Sequence, residues 1–301
     1  MKQMPNIAVV GSISMDLVAI SKKRPKAGET VIGEAFHTIP GGKGANQAVA
    51  AARLGANVAM VGAVGNDNYG TVVKNNLENE RVFIDYVVPV TDASTGIAHI
   101  VLAEEDNSIV VVQGANALVN ESVVDRSKDL LIKADMVVLQ LEIPLETVKY
   151  VLAICEAHNI PVMLNPAPAQ VLSEDILEKA TYITPNEHEC RIVLDDFTSP
   201  IEDLLAKYPN KLLMTEGSKG VRFHNGTEIV HVPSIAVDVV DTTGAGDTFN
   251  GALAVALSEG ETLQKAIRFA NIAGGLSVTK LGAQGGIPTR DRVREVQVIV
   301  G

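Results

Sequence analysis

The residues best suited to chemistry lie in one short stretch, Asp-Thr-Thr-Gly-Ala-Gly-Asp at positions 241–247. Gly244, Ala245 and Gly246 carry almost no side chain, so the backbone there approaches a ligand closely and adopts turns that larger residues resist. Apolar residues recur at helical spacing after Asp247, which predicts a helix that begins at this stretch. The first N–H groups of a helix have no intrahelical partner and lie at the positive end of its dipole. The stretch therefore predicts an anion site.

Asp247 is a carboxylate placed where the anion would bind, and two roles fit it. It is suited to take a proton from a hydroxyl that attacks a phosphate held by the N–H groups. It is equally suited to cap the helix, which is an ordinary use of aspartate. The stretch by itself favours neither role.

A second glycine-rich loop, Gly-Gly-Lys-Gly at positions 41–44, precedes an alanine-rich helical segment. It is not a Walker P-loop, because His37 stands where the first glycine belongs and no serine or threonine follows Lys43. Neither glycine loop matches the GxGxxG dinucleotide pattern either. Lys43 alone is typical of a solvated surface and Asn46 alone of a helix cap. Their position beside three glycines favours contact with a polyol.

Other chemistries have weaker support. The six histidines form no HExxH motif, and the chain has no GxSxG elbow, so neither a zinc site nor a serine hydrolase is indicated. Asn186 and Glu189 lie three residues apart at a predicted helix start, a spacing that suits either a hydrated Mg²⁺ or a helix cap. The segment 215–220 is either a turn before a hairpin or a loop laid along a nucleotide.

Composition places the chain among acidic globular proteins. Its 301 residues are 47% hydrophobic and 20% charged, which is enough for a substantial core. With 25 basic and 36 acidic residues the net charge is −11, so the surface repels nucleic acid and anionic membrane. Cys155 and Cys190 form no CxxC motif, and no apolar run suits a signal peptide or a membrane span. We therefore expect a cytoplasmic protein with no nucleic-acid or membrane partner.

Short apolar runs alternate with helical segments, which predicts a parallel sheet covered on both faces. The predicted strands are 7–10, 16–20, 30–32, 58–64, 136–141, 161–164, 182–184 and 211–215. The predicted helices are 48–54, 69–80, 145–158, 174–180, 187–194, 263–280 and one after residue 288. Two hairpins are predicted, 97–103 with 108–112 around a turn at 104–107, and 221–223 with 228–232. The first of these breaks the alternation and, with the strands near residues 16–39, suggests a small separate sheet.

The candidate residues cluster at one edge of the predicted sheet. Ligands of open α/β sheets bind at the carboxyl ends of the strands. Gly11, Glu142, Asn186 and both glycine-rich loops lie just past predicted strands or in the loops that follow. This clustering favours a ligand site over a set of unrelated turns and caps.

These motifs together resemble the ribokinase-like (PfkB) family of sugar kinases. The resemblance rests on segments 41–48 and 241–251, and it extends to 11–16, 141–144, 165–169, 184–187 and 282–284, so it spans essentially the whole chain. It implies an α/β fold, a three-layer α/β/α domain with a mainly parallel sheet and a small β-sheet lid. The implied domain comprises 1–13, 41–92 and 115–301, and the discontinuous lid comprises 14–40 and 93–114. The family's lid often pairs two subunits, which implies a homodimer.

The resemblance also implies an activity and a set of site residues. Members that act on ribose transfer the γ-phosphate of ATP to the 5-hydroxyl of D-ribose. By motif match, Asp247 resembles the base, and Gly244, Ala245 and Gly246 resemble the anion hole. The positions that match sugar contacts are Ser14, Asp16, Gly42, Lys43, Asn46, Glu142 and Asp247. The positions that match nucleotide contacts are Asn186, Thr215, Glu216, Gly217, Ser218, Lys219, Gly220, Gly246 and Asn271.

Two cations are implied as well. The family uses K⁺ beside the anion hole, and the matching positions are Asp241, Thr243, Ser277, Lys280, Gly282 and Gly286. Asn186 and Glu189 match a pair associated with Mg²⁺ and phosphate. The chain departs from the family pattern at Ser14, where many members have asparagine, and at Gly286, where some place a serine on the cation.

Two alternatives to ribose phosphorylation remain. A kinase of the same fold acting on another sugar, a nucleoside or 2-deoxyribose would differ in the polar groups near residues 14–16, 42–46 and 142. A non-catalytic sugar- or nucleotide-binding protein would have no need of the carboxylate of Asp247, which argues against it. A dehydrogenase is excluded by the missing dinucleotide fingerprint.

Overall fold

The computed structural model describes residues 4–104 and 106–300, and the fold is built around short, buried strands. The strands are β1 (Asn6–Val10), β2 (Ser14–Ile20), β3 (Ala35–Gly41), β4 (Asn57–Gly65), β5 (Val82–Val90), β6 (Gly96–Ala103), β7 (Asp106–Val112), β8 (Met136–Leu139), β9 (Val162–Leu164), β10 (Tyr182–Ile183), β11 (Met214–Thr215), β12 (Val221–His224) and β13 (Ile229–Val232). The helices are α1 (Lys43–Arg53), α2 (Asn68–Asn79), α3 (Glu121–Asp125), α4 (Lys128–Leu131), α5 (Leu145–His158), α6 (Glu174–Lys179), α7 (Glu187–Val193), α8 (Ile201–Lys207), α9 (Ala245–Ser258), α10 (Leu263–Ser277) and α11 (Arg290–Val300).

The main sheet has the order β10-β9-β8-β1-β4-β5, and its strands pair in parallel. Side chains of β1 alternate between two cores, as the pleat requires. Ile7 and Val9 pack in a cluster that contains residues of α1, α9 and α10. Ala8 and Val10 pack in the cluster on the other side, which contains residues of α5. Helices therefore cover both faces, and the predicted three-layer α/β/α architecture is confirmed.

A separate four-stranded sheet, which we call the lid, has the order β3-β2-β6-β7. Strand β2 pairs antiparallel with β3 and in parallel with β6, and β6 pairs antiparallel with β7. The lid thus joins two distant pieces of chain, as expected. Part of its predicted turn, Glu105, lies outside the described residues, and the domain boundaries stay a prediction.

The predicted strand at 30–32 is wrong. Those residues are irregular, and Ile32 is 90% exposed. The lid strand is instead β3, which pairs along its length with β2. The run Thr-Val-Ile has high β propensity, but a strand forms where a partner is available, and that contact outweighs propensity. The edge strand β5 was also not predicted, because its sequence has no continuous apolar run. Its residues are correspondingly mixed in exposure.

Two helices carry the site, and α9 begins at the stretch where the sequence predicts it. Helix α9 spans Ala245–Ser258, and Gly260 beyond it has φ +80°, the left-handed conformation expected of a glycine stop. Helix α1 begins at Lys43, within the glycine loop and earlier than predicted. Strands β11, β12 and β13 form a separate small antiparallel sheet. In the described ranges, no helix is long and apolar enough to cross a membrane.

Candidate active site

The anion site predicted at the start of α9 has free donors. Gly244 is the N-cap with φ 77°, and a Cβ there would lie 2.6 Å from the carbonyl oxygen of Ala283, so only glycine fits. The N–H of Ala245 donates to the carbonyl of Thr242. Within residues 4–104 and 106–300, the N–H groups of Gly246 and Asp247 donate to no protein acceptor. Two N–H groups at the positive end of α9 are therefore available to an anion.

The side chain of Asp247 does not cap this helix. It is 7% exposed, and amide groups of α1 bind both of its oxygens. Asn46 Nδ2 donates to Oδ2 at 2.9 Å, and Gln47 Nε2 donates to Oδ1 at 2.9 Å. Of the two roles that the sequence left open for Asp247, the structure disfavours the helix cap, because the carboxylate is turned toward the helix that follows the second glycine loop.

A cavity of about 140 Å³ joins the two glycine-rich loops to the end of the main sheet. Its lining residues come from α1, the ends of the strands, α7 and α9: Lys43, Asn165, Ala167, Thr184, Asn186, Glu189, Thr215, Gly244, Gly246, Asp247 and Asn250. The cavity therefore brings the base candidate, the free N–H groups and one ammonium group together, as the clustering at the sheet edge predicted.

Lys43 supplies the positive charge in this cavity. Burial lowers the pKa of its ammonium group, but the negative charges of Asp247, Glu142, Glu189 and Asp16 outweigh burial and raise the pKa above its ordinary value. The side chain consequently stays charged. It is a half-buried cation rather than a solvated surface lysine.

Asp16 lies on the lid, where β2 enters from the main domain, and is 8% exposed. Burial, followed by the charges of Glu142 and Asp247, raises the pKa of its carboxyl to about 7. Gly41 makes room for it, since a Cβ at that position would lie 2.5 Å from Asp16 Oδ1. A carboxyl held in this way can accept or donate a hydrogen bond near neutral pH.

Ser12 contacts two of the candidate residues, and the analysis of the sequence did not select it. Its hydroxyl donates to Glu142 Oε2 at 2.5 Å and accepts from the N–H of Gly44 at 3.2 Å. The N–H of Lys43 donates to the same Glu142 oxygen at 3.1 Å. Ser12 therefore links β1, the glycine loop and Glu142. Its only sequence signal was its place in the segment 11–16.

Gly42 and Gly44 bring the second loop against the segment between β1 and β2. Gly42 has φ +94°, and a Cβ there would lie 2.8 Å from the N atom of Ser14. A Cβ on Gly44 would lie 2.7 Å from the N atom of Ser12. Both contacts are closer than a side chain tolerates. The predicted close approach of this backbone is therefore an approach to another segment of the protein. Ser14 itself is 8% exposed.

Asn186 and Glu189 form a capping box at the start of α7. Asn186 Oδ1 accepts from the N–H of Glu189 at 2.9 Å, and Glu189 Oε2 accepts from the N–H of Asn186 at 2.8 Å. A parallel bridge joins Asn186 to Thr215, so two candidate nucleotide residues are neighbours. The capping role is thus present, and both side chains also line the cavity.

The loop 215–220 is a compact turn. The carboxylate of Glu216 binds the guanidinium of Arg222 at 2.7 and 2.8 Å, so both of its oxygens already have a partner. Gly217, Ser218 and Lys219 form an exposed 3₁₀ turn.

Gly220 and Asn271 meet one segment. A Cβ on Gly220 would lie 2.2 Å from the carbonyl oxygen of Val232. Asn271 Nδ2 donates to that oxygen at 2.9 Å and to the carbonyl of Pro233 at 3.2 Å. The end of the loop and helix α10 are therefore joined through the segment after β13, although Asn271 is not among the residues that line the cavity.

Two of the candidate cation residues, Thr243 and Gly282, contact the carboxylate of Asp241. Its Oδ1 accepts from the N–H and hydroxyl of Thr243, and its Oδ2 accepts from the N–H of Gly282 at 2.8 Å. Burial raises the pKa of Asp241, but these hydrogen bonds outweigh it and hold the pKa below its usual value. Lys280 is exposed. This carboxylate is therefore ionised and ties the anion loop to the segment after α10.

Gly286 is pressed against Ser277. A Cβ there would lie 1.7 Å from the Ser277 carbonyl oxygen, so this backbone leaves no space for a serine side chain. In the described part of the chain, no group of three or more histidine, cysteine, aspartate or glutamate side chains is arranged to hold a metal ion. Any cation here would depend on backbone carbonyls, single carboxylates or ligand oxygens.

Comparisons with known proteins agree on one family. A model described as pfkB family carbohydrate kinase matches residues 4–290. The chain is similar to a ribokinase of Bacillus subtilis (strain 168), 57% identical over 293 residues, which cover 97% of this chain and 99% of the relative. It is similar to a deoxyribokinase of Salmonella typhi, 37% identical over 299 residues, which cover 96% and 98%. An Arabidopsis thaliana ribokinase structure, complexed with ribose and ATP, superposes with TM-score 0.88 at 32% identity, covering 98% and 99%.

Proposed function

The chain belongs to the pfkB family of carbohydrate kinases, and from this premise we propose that it transfers the γ-phosphate of ATP to the 5-hydroxyl of D-ribose. One observation carries the proposal. The carboxylate of Asp247, the unpaired N–H groups of Gly246 and Asp247, and the ammonium of Lys43 meet in a single cavity. A base, an anion hole and a cation are the groups that phosphoryl transfer to an alcohol requires.

The reaction follows from this placement. Asp247 accepts the proton of the 5-hydroxyl as the bond between that oxygen and the γ-phosphorus forms. The bond from the γ-phosphorus to the bridging oxygen breaks, and ADP leaves. The N–H groups at the start of α9 and Lys43 bind the phosphoryl oxygens, whose charge they balance in the transition state. A carboxylate is a weak base, which is sufficient because a loose transition state releases the proton late.

The sugar would lie between the lid and the second glycine loop. Asp16 and Glu142 offer carboxyl groups to sugar hydroxyls, and the backbone of Gly42, Lys43 and the amide of Asn46 complete this side. Ser12 holds Glu142 in place. A lid that lies over this position excludes water from the cavity and limits wasteful ATP hydrolysis.

The nucleotide would lie along the edge formed by Asn186, Thr215, the turn 217–220 and Asn271. Mg²⁺ bound to ATP neutralises phosphate charge. The residues present fit such an ion indirectly, because Glu189 uses one oxygen in its cap and lines the cavity. Asn186 and Glu189 would hold it through water. Neither residue offers a complete ligand set, in keeping with a metal that arrives with its phosphates.

The loop that contains Asp241 fits a monovalent cation such as K⁺. Its donors are oxygens, namely an ionised carboxylate and carbonyls near Thr243, Ser277, Lys280, Gly282 and Gly286, and hard cations prefer oxygen ligands. A cation there would add positive charge beside the anion hole. At position 286 a backbone carbonyl would have to replace the serine of some relatives.

The lid offers a surface for a second copy of the chain. Strand β7 lies at the edge of the lid sheet, and Ile109, Val110, Val111 and Val112 are each about half exposed or more. An exposed apolar edge strand is typical of an interface. We therefore propose a homodimer formed through the lid, in the cytoplasm, and sedimentation analysis tests its mass.

Ribose and 2-deoxyribose are both candidate substrates, because the relatives include both ribokinases and a deoxyribokinase. The experiment measures ATP consumption with ribose, 2-deoxyribose, fructose and adenosine, with and without K⁺. Fastest turnover with ribose supports the proposal. Turnover confined to 2-deoxyribose would identify that sugar as the substrate, with the same mechanism. Absence of turnover with every acceptor would favour a non-catalytic binding protein.

A further inference from the structure

Two buried glutamines, Gln47 and Gln140, contact Asp247 directly or through one another and do not line the cavity. We infer that they are positioning residues, which fix the orientation of the base through a chain of side-chain amides. The inference rests on the proposed function, because it assigns Gln47 and Gln140 a task in the transfer step.

The chain of hydrogen-bonded amides has two arms, and both end at the carboxylate of Asp247. In the first, Gln140 Nε2 donates to Gln47 Oε1 at 2.7 Å, and Gln47 Nε2 donates to Asp247 Oδ1 at 2.9 Å. In the second, Gln284 Nε2 donates to Asn46 Oδ1 at 2.9 Å, and Asn46 Nδ2 donates to Asp247 Oδ2 at 2.9 Å. Asn76 Nδ2 donates in turn to Gln284 Oε1 at 2.8 Å.

The carboxylate determines the direction of every bond in both arms. An ionised aspartate only accepts, so the amide next to it must present its nitrogen. Its oxygen then points away and must accept from the next amide, and the same rule applies to each further member. Donors therefore converge on Asp247 from both sides, which fixes its rotamer and stabilises its charge.

Stability alone does not explain the first arm. Gln47 and Gln140 are 0% exposed, and Gln140 Oε1 has no hydrogen-bond partner among the described residues. A buried acceptor without a partner destabilises the fold, and an apolar side chain of the same size would avoid this. Gly11 leaves the space that the glutamine needs, since a Cβ there would lie 1.9 Å from Gln140 Oε1. The arm is therefore explained by what it does to Asp247.

Gln47 also donates to Asn165 Oδ1 at 3.2 Å, and Asn165 lines the cavity. One amide nitrogen thus holds both Asp247 and a wall of the cavity. Loss of the donor from Gln140 would free Gln47 to rotate and would release both contacts. A base displaced by a fraction of an ångström transfers a proton less often, although the sugar contacts remain.

The test uses Gln140→Met, which removes the donor to Gln47 and changes no residue of the cavity. We expect kcat to fall at least tenfold, while the KM for ribose and the melting temperature stay close to the wild-type values. The control is Thr147→Val, which removes a buried hydrogen bond of 2.7 Å to the carbonyl of Val119, and neither of these residues lines the cavity. We expect its kcat to equal that of the wild type.

A second variant, Gln47→Glu, supplies a readout that a merely structural role would not move. Its new carboxyl donates to Asp247 only when protonated, so its kcat relative to the wild type should fall as the pH rises. Taking the ratio at each pH removes effects common to both enzymes from the other titratable groups of the site, namely Asp16, Glu142, Glu189 and Lys43, whose charges interact with one another. A ratio independent of pH, together with an unchanged kcat for Gln140→Met, would overturn the inference.

The wild-type enzyme separates this inference from the proposed function. Normal wild-type turnover with an unaffected Gln140→Met would reject the amide chain alone. Absence of wild-type turnover with every acceptor would reject the proposed function and the inference that rests on it. If the wild type turns over a sugar other than ribose, the kcat values of the wild type and Gln140→Met are compared with that sugar.

Discussion

Asp16 should make the folded protein less stable as the pH rises, and its replacement by asparagine should remove this effect. Burial and the charges of Glu142 and Asp247 raise the pKa of Asp16 from 3.8 to about 7. Between those values the unfolded chain loses the proton and the folded chain keeps it. The contribution of Asp16 to the free energy of unfolding therefore falls as the pH rises through the folded pKa of about 7, and it levels off above that pKa.

The size of this effect follows from the change in pKa. A change from 3.8 to about 7 corresponds to about 4 kcal/mol at roughly 1.4 kcal/mol per unit. Most of this change, about 3 kcal/mol at roughly 1.4 kcal/mol per unit, should appear between pH 4 and pH 7 as a rise in the stability of Asp16→Asn relative to the wild type. Above pH 7, where most of the carboxyl is ionised, affinity for ribose should fall about tenfold or more, because a hydrogen bond to a charged group contributes roughly 1.5–3 kcal/mol.

Urea unfolding of both proteins at a series of pH values measures this difference. Asp67→Asn is the control, because hydrogen bonds from Gly70 and Thr95 outweigh burial and lower the pKa of Asp67. The stability that Asp67 contributes is present above its unfolded pKa of 3.8 and is lost as the pH falls through its folded pKa. Its variant should show no gain between pH 4 and 7. A constant difference between wild type and Asp16→Asn over this range would refute the reasoning.

Three further substitutions test other contacts of the site. Ser12→Ala removes the hydrogen bonds to Glu142 and Gly44, and calorimetry should show about tenfold weaker ribose binding, from roughly 1.5 kcal/mol for a bond to a charged group; unchanged binding would remove Ser12 from the site. Asn186→Ala removes a helix cap and should cost about 1 kcal/mol of stability as well as raise the KM for ATP, whereas a change in stability alone would confine it to capping. Gly286→Ser places a Cβ 1.7 Å from the Ser277 carbonyl, so K⁺ titrations should show a higher half-saturating concentration and thermal unfolding a lower melting temperature; normal values would show that the loop yields at no cost.

The two glycine-rich loops could be located from the sequence because each is a local signal. Small residues, a helix start and a carboxylate lie within seven positions of one another at 241–247. Helix α5 was predicted at its observed bounds, Leu145–His158, because its apolar periodicity is long and clear. Local pattern therefore predicted the positions of both loops and many of the elements of the main sheet.

The network around Asp247 could not be predicted in the same way. Gln47 lies 200 residues from Asp247 and 93 from Gln140, and Gln284 lies 238 from Asn46. These residues come together only because the order of the strands in the sheet brings their segments side by side. No sequence spacing identifies a glutamine with such a role. Strand β3 was missed for a related reason, since its partner β2, rather than its own composition, makes it a strand.

The most direct test of the account is the transfer step in Asp247→Asn. The asparagine keeps the size of the side chain and removes the base, so ribose and ATP should bind within a few-fold of wild-type affinity. A single-turnover measurement of ribose phosphate formation should show a rate lower by a factor of about 10³, within the range typical of a lost general base. Transfer at close to the wild-type rate, with both ligands bound normally, would contradict the assignment of Asp247 as the group that accepts the proton.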